Sequence, residues 1–230
     1  MVTQIAKARL ARVIAVASAN TALIILGCLE LAMAANAPPE WDGLELRESK
    51  TVSLLYVRPG ASLEGYKRVR LEPLQVSFDE NWNPNRSRQG SNRLTSADFD
   101  RIKQGLADAF AKTSAKELAK GGYDVVTESG DDVLDVAPFV INLYISAPEK
   151  MTAGSSRTYT ADPGRMTLVA ELRDSDTGTI LARVVDSRAA RSTGTFQWTT
   201  SVSNLGAANQ IIVRWASALR QALDAANGKK

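Results

Sequence analysis

Apolar and polar residues alternate over residues 66–78, which is the pattern of a strand that buries one face. Val69 and Leu71 lie on the apolar side of this segment, and the charged residues Arg68, Arg70 and Glu72 lie on the other side. The alternation shifts by one position at Pro73. Because proline has no amide hydrogen to donate to a sheet, the pattern predicts a strand with a bulge or an edge position at this residue.

The next segment repeats its apolar residues every three to four positions and predicts an amphipathic helix. Thr95 precedes it and Asp98 follows three residues later, the spacing of a capping box. Gly121 and Gly122 end the segment. Gly105 predicts a close approach of another element to this helix. The predicted buried stripe consists of Phe99, Ile102, Leu106, Phe110 and Leu118.

The rest of the chain contains short strand-like segments and a second helix. Residues 123–127 and 139–145 are predicted strands, and residues 166–172 and 180–189 are predicted to pair as a hairpin. A final amphipathic helix extends to about Ala226. Its apolar stripe consists of Leu205, Ala208, Ile212, Trp215, Leu219 and Leu223.

The resulting order, β-α-β-β-β-β-α, predicts an α+β fold with two layers. Hairpin-linked strands favour a mostly antiparallel sheet of about five strands. Two amphipathic helices need a shared apolar surface, so we expect both on one face of that sheet. Residues 59–226 are predicted to form a single α/β domain. Residues 35–58, which include Pro38 and Pro39, are predicted to form a tether with one possible strand at 51–57.

Residues 1–34 have the features of a bacterial signal peptide. Basic residues precede an uncharged apolar stretch that ends in Ala32-Met33-Ala34, and this predicts cleavage after Ala34. Two alternatives remain open. Cys28 could be acylated within Ile25-Leu26-Gly27-Cys28, or the apolar stretch, which is short for a membrane span, could remain as an uncleaved anchor. We therefore expect a protein of the periplasm or cell envelope, with a lipid anchor as the alternative.

Composition removes most catalytic chemistry from consideration. The chain has no histidine and a single cysteine, which excludes an imidazole base, a disulfide and a thiolate metal site. The 28 basic and 25 acidic side chains give a net charge of +3, too balanced to predict a nucleic-acid partner. We expect no cofactor and no metal, and membrane contact only through the N-terminal segment or a lipid anchor.

Four stretches taken together resemble the bacterial family of domain of unknown function 3313, DUF3313. They are Tyr56-Val57-Arg58-Pro59-Gly60 with Leu63-Glu64-Gly65-Tyr66, the strand 69–78, the hairpin residues Glu171-Leu172-Arg173-Asp174 with Thr177-Gly178 and 181–186, and the helix residues Trp215-Ala216 and Leu219. The resemblance implies an exported or lipid-anchored envelope protein without established activity or catalytic residues. Many members look like lipoproteins, and the bulky Leu26 before Gly27 departs from that pattern.

Two polar loops, 80–94 and 147–165, carry aromatic and arginine side chains of the kind that anchor protein contacts. The competing interpretation of the first loop is a solvated segment whose tryptophan packs back onto the domain. The candidate binding residues are Trp82, Arg86, Arg88 and Arg93 in the first loop and Arg157 and Tyr159 in the second.

Two groups of aspartates are candidates for acid and base chemistry. Asp174-Ser175-Asp176-Thr177-Gly178 is similar to a phosphotransferase motif, but Gly178 stands where that motif has Thr or Val. The same residue types are typical of a hairpin turn. Asp131, Asp132 and Asp135 lie between two predicted strands, and this position predicts an acidic turn.

These observations favour an exported, non-catalytic binding or scaffold protein whose partner is an unidentified envelope protein. The alternative is a carboxylate-dependent hydrolase acting on a cell-wall or glycan substrate, which requires the aspartates to converge in a pocket. A third possibility, a carrier of a small lipid or other ligand, requires an apolar cavity between the helices and the sheet.

Overall fold

The computed structural model of the protein describes residues 37–86, 88–145, 158–160, 164–189, 197–199 and 201–229. The described residues from 38 onward form one compact unit. The strands are β1 (Glu40–Trp41), β2 (Leu44–Arg47), β3 (Leu54–Val57), β4 (Arg68–Leu71), β5 (Gln75–Phe78), β6 (Asp124–Val126), β7 (Val133–Tyr144), β8 (Thr158–Thr160), β9 (Arg165–Asp174), β10 (Ile180–Ala189) and β11 (Gln197–Thr199). The helices are α1 (Ser96–Ala119) and α2 (Ser201–Ala226), with a 3₁₀ turn at Gly90–Asn92.

Within the described residues, nine strands form one sheet in the order β1-β2-β3-β10-β9-β7-β4-β6, and β5 also pairs with β7. The α+β class with two helices is confirmed, but the sheet is larger than the five strands predicted. Five of its pairings are antiparallel. The three pairings of β4 with β6, β4 with β7 and β5 with β7 are parallel. Strands β8 and β11 pair separately.

The strand predicted over 66–78 is present as two segments. Both β4 and β5 run parallel to β7, and the chain between them contains Pro73. The irregularity predicted at the proline is present, but as a break between two strands and not as a bulge within one. Because β7 is twelve residues long, it accommodates β4 at its beginning and β5 at its end.

The segment predicted as a tether belongs to the sheet instead. Strands β1, β2 and β3 form a meander that joins the edge of β10. Asp42 and Gly43, with φ of 55° and 74°, form the two-residue connection between β1 and β2. An Asp-Gly pair is the preferred sequence of such a hairpin turn, and this indication in the sequence outweighs the nearby prolines.

Both helices pack on one face of the sheet, as predicted. Alternate β9 residues, including Leu168 and Ala170, face Phe110 of α1 and Ile212 and Trp215 of α2 in a buried cluster. The predicted stripe of α2 is correct except at Leu205, which is exposed. Among the described helices, neither is long and apolar enough to span a bilayer.

The ends of α1 agree with the sequence prediction. The Thr95 hydroxyl accepts a hydrogen bond from the amide of Asp98, and the Asp98 carboxylate accepts one from the amide of Thr95. At the other end, Gly122 adopts a φ of 73°. Gly105 differs from the expectation of a close approach, because no described atom of another element lies within 4 Å of a Cβ placed there.

Candidate functional site

The two helices leave part of the sheet uncovered. Packed helices lie 8–10 Å apart, so a pair about 20 Å wide covers roughly four strands of about 4.8 Å spacing. In β3, the residues that point to the helix side are Leu55 and Val57, which are paired with Val184 and Ala182 of β10. Both β3 residues are only half-buried. An opening therefore lies beside α2, above β3 and β10.

This opening leads into a cavity of about 210 Å³ between the helices and the sheet. For comparison, a cavity of about 150 Å³ in another protein binds benzene. The floor includes Leu168, Leu172 and Val184 of the sheet, and the inner wall includes Phe110 and Trp215 of the helices. The described residues that line the cavity carry no charged side chain. The cavity therefore suits an apolar ligand.

Small residues on α2 create much of this space. Ala216, Ala218 and Ala222 line the cavity where larger side chains would fill it. Ala170 and Ala182 of the sheet also line the cavity and leave space in it because their side chains are small. The cavity was not predicted from the sequence. These alanines indicate it only weakly, because alanine is equally common on an ordinary packed helix.

One hydroxyl in the cavity wall has no partner. Ser114 of α1 is 2% exposed, and its Oγ has no hydrogen-bond partner among the described residues. Three further hydroxyl residues, Ser49, Thr51 and Ser62, line the cavity from the loops that lead into and out of β3. Ser49 Oγ accepts the amide of Thr51 at 3.2 Å, so its hydroxyl already takes part in the loop structure.

The loop at the opening is held in place by β10. Asp186, which is fully buried, accepts hydrogen bonds of 2.9 Å from the amide and from the hydroxyl of Ser53. Arg188 donates a hydrogen bond of 2.7 Å to the carbonyl oxygen of Thr51. These contacts fix residues 51–53 against the sheet and so fix the shape of the opening.

Trp82, the aromatic residue of the first candidate loop, contacts the domain itself. Its ring stacks on Phe78 at 4.5 Å between centroids and meets the edge of Phe99 at 5.8 Å. Its Nε1 donates a hydrogen bond of 2.8 Å to the carbonyl oxygen of Ile145. The interpretation in which this tryptophan packs back onto the domain describes this geometry.

The other candidate binding residues are spread out or lie outside the description. Arg86 is exposed, Arg88 donates a hydrogen bond to the carbonyl oxygen of Asn92, and Arg93 follows the 3₁₀ turn. Tyr159 lies in β8 opposite Trp198 of β11. Cys28 and Arg157 lie outside the described residues. None of these residues lines the described cavity, and their role as a binding surface stays a prediction.

The first group of aspartates forms ion pairs with β4. Asp132 accepts a hydrogen bond of 2.9 Å from Arg68 Nε, and this interaction holds the pKa of the Asp132 carboxyl below its usual value. Asp135 was predicted to lie in an acidic turn, but it lies within β7, directly opposite Arg70 and paired with it. The correction has a simple cause, since a cross-strand arginine compensates a carboxylate inside a strand.

The second group forms the predicted hairpin turn between β9 and β10. The amide of Thr177 donates a hydrogen bond of 2.8 Å to Asp174, and the hydroxyl of Tyr66 donates one of 2.7 Å. The Thr177 amide and hydroxyl, together with Tyr66, lower the pKa of the Asp174 carboxyl. Gly178 has a φ of 69°, which completes the turn.

These aspartates lie near one another at one end of the paired strands β7 and β9, where the amide of Ser175 donates a hydrogen bond to the carbonyl oxygen of Val133. A general acid at neutral pH needs a raised pKa, whereas those of Asp132 and Asp174 are lowered. None of the predicted aspartates lines the described cavity. Over the described ranges, no three His, Cys, Asp or Glu side chains lie close enough together to hold a metal ion.

Comparison with solved structures gives weak likenesses. A PelC dodecamer from Paraburkholderia phytofirmans is 12% identical, with a TM-score of 0.37 and coverage of 71% of this chain and 96% of that chain. A minor lipoprotein from Acinetobacter baumannii is 11% identical, with a TM-score of 0.34 and coverage of 70% and 94%. A DUF330 protein from Xanthomonas campestris is 15% identical, with a TM-score of 0.34 and coverage of 71% and 86%. Similarities at this level carry no argument about function.

Comparison at the level of sequence is more informative. No curated protein matches the chain. Residues 40–219 match the model of a family described as "Protein of unknown function (DUF3313)". The match includes the strands β1–β3 that precede residue 59, most of α2, and all the cavity-lining residues except Ala222. The chain therefore belongs to the DUF3313 family.

Proposed function

We propose that this protein is a non-catalytic binding protein of the cell envelope, and that the cavity between α2 and the β3–β10 edge is its ligand-binding site. The observation that carries the proposal is the cavity itself, because it is apolar, open at one side and larger than one that takes up benzene. An apolar ligand that enters such a site gains free energy from the removal of its surface from water.

The same site offers no support for a hydrolase. Asp132 and Asp135 are paired with arginines, and Asp174 accepts hydrogen bonds from a tyrosine and a turn residue. None of the candidate aspartates lines the described cavity. A carboxylate held in its ionised form by such partners is a poor proton donor. This arrangement favours a binding function for the protein.

The envelope location in this proposal rests on the sequence of residues 1–34, which has the features of a signal peptide. Fractionation of cells that express the full chain, followed by intact mass measurement, tests it. A chain that begins at Ala35, or one acylated at Cys28, supports an envelope location. An unprocessed chain that begins at Met1 and is recovered from the cytoplasm contradicts it.

Binding to the cavity is tested with N-phenyl-1-naphthylamine, an uncharged dye whose fluorescence rises in apolar surroundings. We expect the protein purified from the full-length gene to bind the dye with one saturable site. The variant Ala218→Phe places a phenyl ring in the cavity and should abolish this binding. Ala225→Phe is the matched control, because Ala225 is exposed on the same helix and should leave binding unchanged.

Equal dye binding by the two phenylalanine variants would contradict the cavity as the binding site. Circular dichroism and thermal melting of both variants show whether each retains the fold. If Ala218→Phe does not fold, Leu219→Trp provides a second way to fill the cavity, because Leu219 also lines it and is half-buried.

A further inference from the structure

The hydroxyl of Ser114 differs from the other hydroxyls between the two helices. Thr113 shares a hydrogen bond of 3.2 Å with Asn209, and Ser217 donates one of 3.2 Å to Glu117. Ser114 is only 2% exposed, and its Oγ has no described partner. An unpartnered buried hydroxyl is unfavourable, so such groups in proteins generally have a partner.

Ser114 lines the cavity, so a bound ligand can supply that partner. A serine side chain rotates among three staggered positions, and its hydroxyl both donates and accepts hydrogen bonds. A ligand oxygen placed next to Ser114 satisfies the hydroxyl without any change in the backbone. A hydrocarbon ligand leaves it without a partner.

The charge of the ligand follows from the rest of the wall. The described lining residues carry no charge, so an ionised group inside the cavity would lose its hydration and gain no counter-ion. The lining is mainly aliphatic and reaches from Leu55 and Val57 at the opening to Phe110 and Ser114 on α1. An extended aliphatic chain fits this path.

We infer that the cavity binds an uncharged aliphatic molecule, such as an alcohol, ester or ketone, whose oxygen forms a hydrogen bond with Ser114. The inference rests on the proposed binding function and names the chemical class of its ligand. It distinguishes a neutral ligand from a free fatty acid, whose carboxylate has no counter-ion in the described wall.

The test is displacement of the naphthylamine dye by three ligands of equal chain length: 1-octanol, octanoate at pH 8, and n-octane at its aqueous saturation. For the unmodified protein, we expect 1-octanol to displace the dye at a concentration at least about ten-fold lower than octanoate does. The variant Ser114→Ala should lower the affinity for 1-octanol about three- to ten-fold and leave that for n-octane unchanged.

Ser217→Ala is the matched control, because it removes a hydroxyl from the neighbouring helix that already has a partner outside the cavity. It should leave the affinities for all three ligands unchanged. Thermal melting shows whether the Ser114→Ala protein retains its fold, and Ser114→Cys gives a second, nearly isosteric replacement with a weaker hydrogen-bonding group.

The outcomes separate the two proposals. Equal 1-octanol affinity for the unmodified and Ser114→Ala proteins, with dye and n-octane still bound in the cavity, overturns the inference and leaves the binding function intact. Preference for octanoate over 1-octanol overturns it as well. Absence of dye binding in the unmodified, folded protein overturns both proposals.

Discussion

The indole Nε1 of Trp215 donates a hydrogen bond of 2.8 Å to the carboxylate of Asp186, which is fully buried. Trp215 belongs to α2 and lines the cavity, and Asp186 belongs to β10 beneath it. The same carboxylate accepts hydrogen bonds from Ser53 and from Arg188 Nε. One side chain therefore joins the helix, the sheet and the loop at the opening of the cavity.

This arrangement predicts a large loss of stability for Asp186→Asn. The amide group of asparagine places a donor where Asp186 accepts from three side chains, and at least one of these donors loses its partner. We expect the free energy of unfolding to fall by about 3 kcal/mol, as when one member of a buried charged network is removed. Urea denaturation monitored by circular dichroism measures it.

Two further variants show whether the loss arises from this network. Trp215→Phe keeps a ring and removes one donor, so it should cost less, about 1–2 kcal/mol. Asp100→Asn, on the exposed side of α1, should change stability by less than about 0.5 kcal/mol. A larger loss for Trp215→Phe than for Asp186→Asn would contradict the role of Asp186 as the common acceptor.

Glu171 predicts a specific dependence of stability on pH. It lies on the sheet face away from the helices and accepts hydrogen bonds of 3.0 Å from Arg173 Nε and from Arg183 Nε. Burial raises the pKa of the Glu171 carboxyl, but the hydrogen bonds and charges of the two arginines outweigh burial, so the pKa lies below its ordinary 4.5.

A carboxyl with a lower pKa in the folded chain stabilises the fold above its unfolded pKa, and this stabilisation is lost as the pH falls through the folded pKa. We therefore expect the free energy of unfolding to decrease below pH of about 4.5. Glu171→Gln should be less stable than the unmodified protein at pH 7, and the difference should narrow as the pH falls below that value.

Urea denaturation at a series of pH values from neutral to acidic tests this expectation. Glu64→Gln is the control, because Glu64 is an exposed carboxylate in a loop and its replacement should leave the curve parallel to that of the unmodified protein. A difference between Glu171→Gln and the unmodified protein that stays constant over the acidic range would mean that Glu171 is not stabilised as an anion.

Two glycines predict opposite effects of the same substitution. Gly105 is in the interior of α1 with open space at its Cβ position, so Gly105→Ala should stabilise the fold by about 0.5–1 kcal/mol. Gly178 has a φ of 69° in the turn between β9 and β10, so Gly178→Ala should destabilise it by about 1–2 kcal/mol. Thermal melting compares the two. Stabilisation by both substitutions would contradict the left-handed conformation of Gly178.

The sequence predicted best the features that depend on neighbouring residues. The capping box of Thr95 and Asp98 and the turn at Asp174–Gly178 are both formed within a few residues, and both are present. The Asp42-Gly43 turn was equally local, but the prolines before it led to the prediction of a tether. The strands of this segment depend on the pairing of β3 with β10, which lies more than one hundred residues away in the chain, so the local sequence does not indicate them.

The cavity could not be predicted for the same reason. Its opening depends on how far α2 lies from β3, and this distance is set by the width of the whole sheet and the packing of α1 on α2. The ion pairs of Asp132 and Asp135 likewise required the parallel alignment of β4 with β7. Sequence patterns report which residues are buried, whereas the space left between buried residues depends on the assembled fold.

Trp82 and Arg86 predict different consequences of substitution in the same loop. Trp82 stacks on Phe78 and donates a hydrogen bond to Ile145, so Trp82→Ala should lower the free energy of unfolding by about 2 kcal/mol. Arg86 is exposed, and Arg86→Ala should change it by less than about 0.5 kcal/mol. Urea denaturation of both variants measures the difference, and equal losses would contradict the packing of Trp82.

The result decides where this loop can be probed for an envelope partner. If Trp82 supports the fold, a Trp82 variant that no longer binds a partner has lost either its fold or the contact. Lost binding in such a variant therefore does not identify a contact. A photo-crosslinking residue at Arg86 leaves the aromatic cluster of Phe78, Trp82 and Phe99 intact. A discrete envelope protein captured from Arg86, in cells where the variant is as stable as the unmodified protein, would therefore identify the loop as a contact surface.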